Sequence, residues 1–292
     1  MNNQYTIRPL EITDIKLVTE WARKEGFAPG IEDVDIYRNT DKQALWIASL
    51  DNKPIGTIVG IRYNLIYGFV GLFIVDKDYR GQGYGIPLWK HVLNYMNDLD
   101  CIGLEAAPSR VDDYSKWGFK ESSITTRWRY LSNGFDINED SDLNGLHLLD
   151  ETDITNNLIQ TYDAMKEETP RPHFLSDWMF HKSGNVIALV DDNWNCLGFG
   201  RIRPCLLQKG QGWRIGPLIA DKPEYAQILL RRLLSKHPGF IYIDSPGLNP
   251  LCKKVFYNMG FTNHSYTVRM YKGQLPDISL SDIYGLACLE LG

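Results

Sequence analysis

At 292 residues the chain is long for one compact domain and comfortable for two of roughly 140 each. Its 43% apolar and 23% charged residues are ordinary for a globular protein, and no apolar run approaches the roughly 20 residues of a membrane-spanning helix. A net charge of −5 without any Lys/Arg cluster argues against nucleic acid as the main partner, which needs a basic face, while an acidic balance suits a cationic amine.

The chain opens Met1-Asn2-Asn3-Gln4-Tyr5, without the charged-then-apolar character of a leader, so a cytoplasmic location is expected. A strand at Tyr5 to Pro9 is followed by an amphipathic helix from about Thr13 to Lys24, with Ile15, Val18 and Ala22 on one face. After the loop Glu25-Gly26-Phe27-Ala28-Pro29-Gly30 and a short helix near Glu32 to Asn39, strands are expected at Ala44 to Leu50, Ile55 to Tyr63 and Gly68 to Val75. The run Arg80-Gly81-Gln82-Gly83-Tyr84-Gly85 then leads into a helix reaching about Asn97, with Pro87 in its first turn. A strand at Cys101 to Ala106, a helix over about Val111 to Trp117 and a strand at Thr125 to Leu131 complete the first half.

A strand that turns through glycines into a helix presents bare backbone N–H groups and the positive end of a helix dipole to an anion. Such a turn alone is weak evidence, and here it fits neither the P-loop nor the dinucleotide fingerprint, lacking the Lys-Ser/Thr and the G-x-G-x-x-G order. Its company is more specific. Val75, Arg80, Gly83 and Gly85 form V-x-x-x-x-R-x-x-G-x-G, which resembles motif A of the GNAT acetyltransferase superfamily. About 30 residues on, Tyr114-Ser115-Lys116-Trp117-Gly118-Phe119 is similar to that family's Y-x-x-x-G-F.

The resemblance implies an α/β (α+β) fold in which a mixed, mostly antiparallel sheet is flanked by helices. It implies acetyl-CoA as co-substrate, with the pyrophosphate on Arg80, Gly81, Gln82, Gly83, Tyr84 and Gly85. The backbone of Phe73, Ile74 and Val75 would hold the pantetheine arm and polarise the thioester carbonyl, as an oxyanion hole does. Tyr114 takes the position that commonly protonates the leaving thiolate, a task a phenol of pKa near 10 suits. The chain departs from the pattern at Ala107, where many members have an asparagine that contacts the cofactor. Glu105 is the leading candidate for general base, with Glu25 second, and Trp21, Glu25 and Phe27 are candidates to line the acceptor pocket.

The second half repeats the first. Gly118-Phe119 recurs as Gly260-Phe261 and Gly56 as Gly198, both 142 positions on, while Gly71-Leu72-Phe73-Ile74-Val75 matches Gly216-Pro217-Leu218-Ile219-Ala220 at 145. The change of offset places a net deletion of about three residues just after Lys222, where the glycine loop belongs. Asn249 keeps the asparagine that Ala107 lacks, but Phe256 replaces the acid. The expected organisation is a catalytic domain over 1–131, a polar linker over 132–144, a degenerate GNAT-like domain over 145–273, and a tail over 274–292 whose Ile and Leu residues dock on the body. One CoA per chain follows.

The expected activity is N-acetyl transfer to a small amine or a peptide by direct attack in a ternary complex. No cysteine adjoins the motifs, and Cys101, Cys196, Cys205, Cys252 and Cys288, like the six histidines, lack metal-ligand or disulfide spacing, so no metal is expected. Two alternatives stay open: a non-catalytic acyl-CoA-binding regulatory protein, and an enzyme for a longer acyl group.

Overall fold

The computed structural model describes residues 4–134, 143, 145–167, 169–275 and 280–292. The first half runs β1 (Tyr5–Pro9), α1 (Ile15–Lys24), α2 (Asp33–Thr40), β2 (Leu45–Leu50), β3 (Lys53–Arg62), β4 (Tyr67–Val75), α3 (Gly85–Tyr95), β5 (Cys101–Ala106), α4 (Val111–Ser115) and β6 (Lys120–Ser132). The second runs β7 (Leu146–Asp150), α5 (Asn156–Asp163), α6 (Pro172–Met179), β8 (Asn185–Asp191), β9 (Cys196–Leu206), β10 (Gln211–Ala220), α7 (Pro223–Leu234), β11 (Gly239–Ser245), α8 (Cys252–Asn258) and β12 (Thr262–Gly273), with β13 (Ile283–Gly285) in the tail.

Local chemistry explains these elements. On α1 the residues Val18, Trp21 and Ala22 are buried on one stripe, and Arg23 and Lys24 close the last turn, where cations favour the helix dipole. Asp51 and Asn52 both take positive φ, 49° and 65°, the pairing that a tight hairpin turn between β2 and β3 requires and that Asp and Asn tolerate.

The halves share one sheet instead of forming two. Its order is β1-β2-β3-β4-β5-β12-β6-β11-β10-β9-β8-β7, with β13 added to β10. The last strand of each half is exchanged: β12 pairs with β5, from Val268 opposite Ala106 to Gly273 opposite Cys101, and β6 pairs with β11, from Gly239 opposite Ser132 to Ser245 opposite Thr126. Without the exchange β6 on β5 and β12 on β11 would each end a separate sheet as an open edge, a liability that the joined sheet removes. Among the described residues only β4–β5 and β10–β11 pair in parallel. The expected linker lies mostly outside the described residues, and Ser132 still belongs to β6.

Helix α3 packs Leu88, Trp89 and Val92 on one face of the sheet, and α7 does the same for the second half with Leu229, Leu230 and Leu233. The opposite face is covered by α1, α2, α5 and α6 in a single core that crosses the junction, from Val18 and Val34 to Phe174, Trp178 and Leu291. No helix among the described residues is long and apolar enough to cross a membrane.

Candidate active site

Strands β4 and β5 pair from Tyr67 opposite Cys101 as far as Val70 opposite Leu104, and then separate. Beyond that point β4 continues to Val75 with no strand among the described residues on its β5 side. On its other side the register with β3 slips between Thr57 and Val59, where Leu72 takes a φ of 45°. A bulge with a non-glycine residue in the left-handed region is a strained feature of the kind that collects at functional sites. The separation opens a cleft of about 690 Å³, lined along one wall by Val70 to Val75.

At one end of the cleft lies the loop that leads into α3. Gly81 and Gly83 have φ of 73° and 87°, and a Cβ at either would meet nothing within 4 Å. The backbone N–H groups of Gly81, Gln82, Gly83 and Tyr84 donate to no group among the described residues. Four free amides at the start of an eleven-residue helix make a cradle for an anion such as a pyrophosphate. Gly85 serves packing: a Cβ there would come within 3.2 Å of Phe73 and Val75. Arg80 bridges the ends of the site, donating from Nε to the Val75 carbonyl (2.8 Å) and from Nη2 to Glu25 (2.6 Å). Gln82 is exposed, does not line the cleft, and donates to the Asp78 carbonyl.

Tyr114, on α4, lines the same cleft, packed 5.2 Å from the Trp89 ring and 6.4 Å from that of Phe119. Its hydroxyl has no hydrogen-bond partner among the described residues, and burial pushes its pKa up to about 12. A tyrosine whose ring is fixed and whose O–H is unclaimed can donate a proton into the cleft. Ala107 also lines it.

The wall facing α1 and α2 is polar and made by both halves. Glu105 accepts from Arg269 Nε (2.7 Å), Thr125 Oγ1 (2.8 Å) and Thr267 Oγ1 (2.6 Å). Asp244 on β11 joins Arg127 (2.7 Å) and Arg214 (2.6 Å). Burial works against its charge, but the two guanidinium groups outweigh that and hold its carboxyl down at about 2. Arg127 and Arg214 also donate to the carbonyls of Gly26, Phe27 and Ala28, fixing the loop between α1 and α2 from below. Asp33, paired with Arg203 and bonded to the Gly30 amide at 2.7 Å, secures the far end of that loop. Glu25 and Phe27 therefore reach the cleft, whereas Trp21 is buried in the core and does not line it. Composition and motifs did not lead to Arg127, Asp244, Thr125, Thr267 or Arg269. Their signal is present in the strands of the second half, where Arg203 and Arg214 interrupt otherwise apolar runs, because a strand arginine in a core calls for a carboxylate partner.

The second half has the same opening, and it is filled. Pairing of β10 with β11 stops at Ile215 opposite Ile243, the counterpart of Val70 and Leu104. There β13 lies against β10, with Gly285 opposite Leu218 and Ile283 opposite Ile219, which are the repeat counterparts of Phe73 and Ile74. Leu286 N–H donates to the Asp244 carbonyl across the gap (2.8 Å), and Asn249 Nδ2 donates to the Ile283 carbonyl (3.1 Å). The chain's own tail thus occupies the slot that stays open in the first half. At the head of α7, Pro223 and Glu224 stand where the glycine loop would be.

No disulfide joins the five cysteines, and none of them lines the cleft. No cluster of His, Cys, Asp and Glu able to hold a metal occurs among the described residues.

An opened parallel strand pair, an anion cradle leading into a helix and a half-buried tyrosine thus share one cleft. The comparisons agree in both halves: residues 15–119 match the acetyltransferase (GNAT) family and residues 159–285 an acetyltransferase (GNAT) domain. The chain is a tandem GNAT protein and an acyltransferase, and this fold generally uses acyl-CoA. It is 25% identical to a holothin acyltransferase from Pseudoalteromonas sp. (strain SANK 73390), over 99% of this chain and 95% of the relative. In fold it is similar to a Pyrococcus horikoshii protein assigned to the acetyltransferases (TM-score 0.81, 20% identity, 99% of this chain and 96% of the other). It is also similar to a tandem GNAT protein from the clavulanic acid biosynthesis pathway (TM-score 0.60, 12% identity, 92% and 98%).

Proposed function

We propose that the chain is an acyl-CoA-dependent N-acyltransferase, acting on acetyl-CoA, in which the first half carries out the reaction and the second half builds the acceptor side. The observation that carries this reading is the placing of an open β4 edge, an unpartnered amide cradle and an unclaimed Tyr114 hydroxyl on one cleft. The cradle from Gly81 to Gly85 takes the pyrophosphate. The backbone of Phe73, Ile74 and Val75 takes the arm and the thioester carbonyl, stabilising the oxyanion as the amine attacks. The oxyanion then collapses: Tyr114 gives its proton to the departing CoA sulfur as the acyl–sulfur bond breaks, and the surplus proton on the newly acylated nitrogen passes to solvent, from which the tyrosinate is reprotonated. With no thiol on the cleft, attack is direct.

Each carboxylate that lines the cleft already faces a cation: Glu25 has Arg80, Glu105 has Arg269, Asp113 has Arg110 and Lys116, and Asp244 has Arg127 and Arg214. Glu105 therefore serves to orient the acceptor as a hydrogen-bond acceptor and not as its base, and the amine reacts as the neutral form reaching it from solution. The rate at limiting amine should accordingly rise with pH following the acceptor's own pKa. Walls contributed by β11, β12 and the tail narrow the opening, which favours a small-molecule acceptor over a folded protein, and the likeness to a holothin acyltransferase supports the same class.

The test is release of CoA thiol from acetyl-CoA against a broad panel of amines and peptides. Turnover with small amines is expected. Tight acetyl-CoA binding without release for any acceptor, unchanged by Tyr114→Phe, would instead identify a binding protein that no longer catalyses.

A further inference from the structure

From Ile283 to Leu291 the tail is buried at every residue except Leu289, and Leu289 lines the cleft of the first half. Its position is tightly held from both sides. Upstream, β13 is anchored on β10 and Leu286 is bonded to β11. Downstream, the Glu290 carboxylate stands 3.6 Å from Arg214 and accepts from the Tyr37 hydroxyl at 3.3 Å. The Glu290 carbonyl lies so close over Gly71 that a Cβ there would be 1.9 Å from it. Gly71 is the first residue of β4 beyond its ladder with β5, so the tail crosses the cleft at its closed end.

An acyl chain continuing from a thioester held at Phe73 to Val75 toward that end meets the paired strands at Val70 and Leu104. It can extend further only by turning onto the face where the tail lies, and Leu289 is the apolar side chain the tail offers there. We infer that Leu289 is the specificity-determining residue that limits the length of the acyl group, an inference that rests on the acyl-CoA reading above. The segment that fills the second half's slot thereby shapes the first half's pocket.

Binding of acetyl-CoA and hexanoyl-CoA to the full chain, measured by titration calorimetry for Leu289→Ala, Leu289→Val and Leu289→Phe, tests this without needing the acceptor. Leu289→Ala should raise the affinity for hexanoyl-CoA relative to acetyl-CoA by about tenfold or more, since each methylene buried against an apolar wall gains severalfold. Leu289→Val, which keeps most of the packing, should move the ratio the same way by less, and Leu289→Phe should move it the other way. If the variants bind acetyl-CoA as the unaltered chain does and the ratio does not move, the inference is wrong while the acyl-CoA reading stands. If the unaltered chain binds neither thioester, the acyl-CoA reading fails first and takes this one with it.

Discussion

Tyr114→Phe is expected to lower kcat by about 10²-fold with little change in acetyl-CoA affinity, in steady-state assays paired with calorimetry. The substitution keeps the ring against Trp89 and Phe119 and removes only a hydroxyl that no described group claims, so folding should be spared. On the proposed mechanism the chemical step then loses its proton donor, and the thiolate must leave unaided. Burial that raises the phenol to about 12 acts on the departing thiolate in the same direction, so the pair stays closer in proton affinity than their solution values suggest. Because the phenol is protonated throughout the neutral and mildly alkaline range, this residue should add no alkaline fall in rate below about pH 11.

The second large effect is structural. Asp244→Ala removes the shared partner of Arg127 and Arg214 and leaves two buried guanidinium groups under-compensated, at a cost of about 3–5 kcal/mol. Against the 5–15 kcal/mol typical of a folded domain, that is enough to lower the denaturation midpoint substantially, and chemical denaturation will measure it. The pH dependence has a definite sign. Asp244 is ordinarily near 3.9 when unfolded and lies at about 2 when folded, so its contribution, about 2 kcal/mol, is full above pH 4 and is lost as pH falls toward 2. Asp244→Ala should flatten that part of the acid limb. Since Arg127 and Arg214 hold the Gly26 to Ala28 carbonyls, the same change should loosen the acceptor loop and raise KM for the amine more than for acetyl-CoA.

Much of this molecule is visible in its residue order, and the parts that are not share a cause. The strands and helices of the first half and the glycine loop are local, and period and turn chemistry disclose them. The repeat with its missing loop marks the second half as different. Strand exchange is another matter: β6 and β12 carry the alternation expected of any final strand, and nothing in that alternation names the neighbour. Trp21 illustrates the ambiguity of aromatic residues near a site, since the helix stripe that buries it with Val18 and Ala22 takes it away from the cleft. Glu105 lines the cleft, but its partners Arg269 and Thr267 are more than 160 positions away, so its role is not legible from neighbours in the chain. The tail's Ile and Leu residues mark it as apolar, but the pairing of β13 with Leu218 and Ile219 joins distant parts of the chain, which no local pattern discloses.

The central claim is one acyl-CoA site, in the first half. Calorimetric counting of acetyl-CoA per chain should give one equivalent. Gly83→Val, which forces a branched residue into a left-handed conformation while meeting nothing within 4 Å, should weaken that binding by about tenfold without unfolding the chain. Two equivalents of comparable affinity, or a single one unaffected by Gly83→Val, would contradict it.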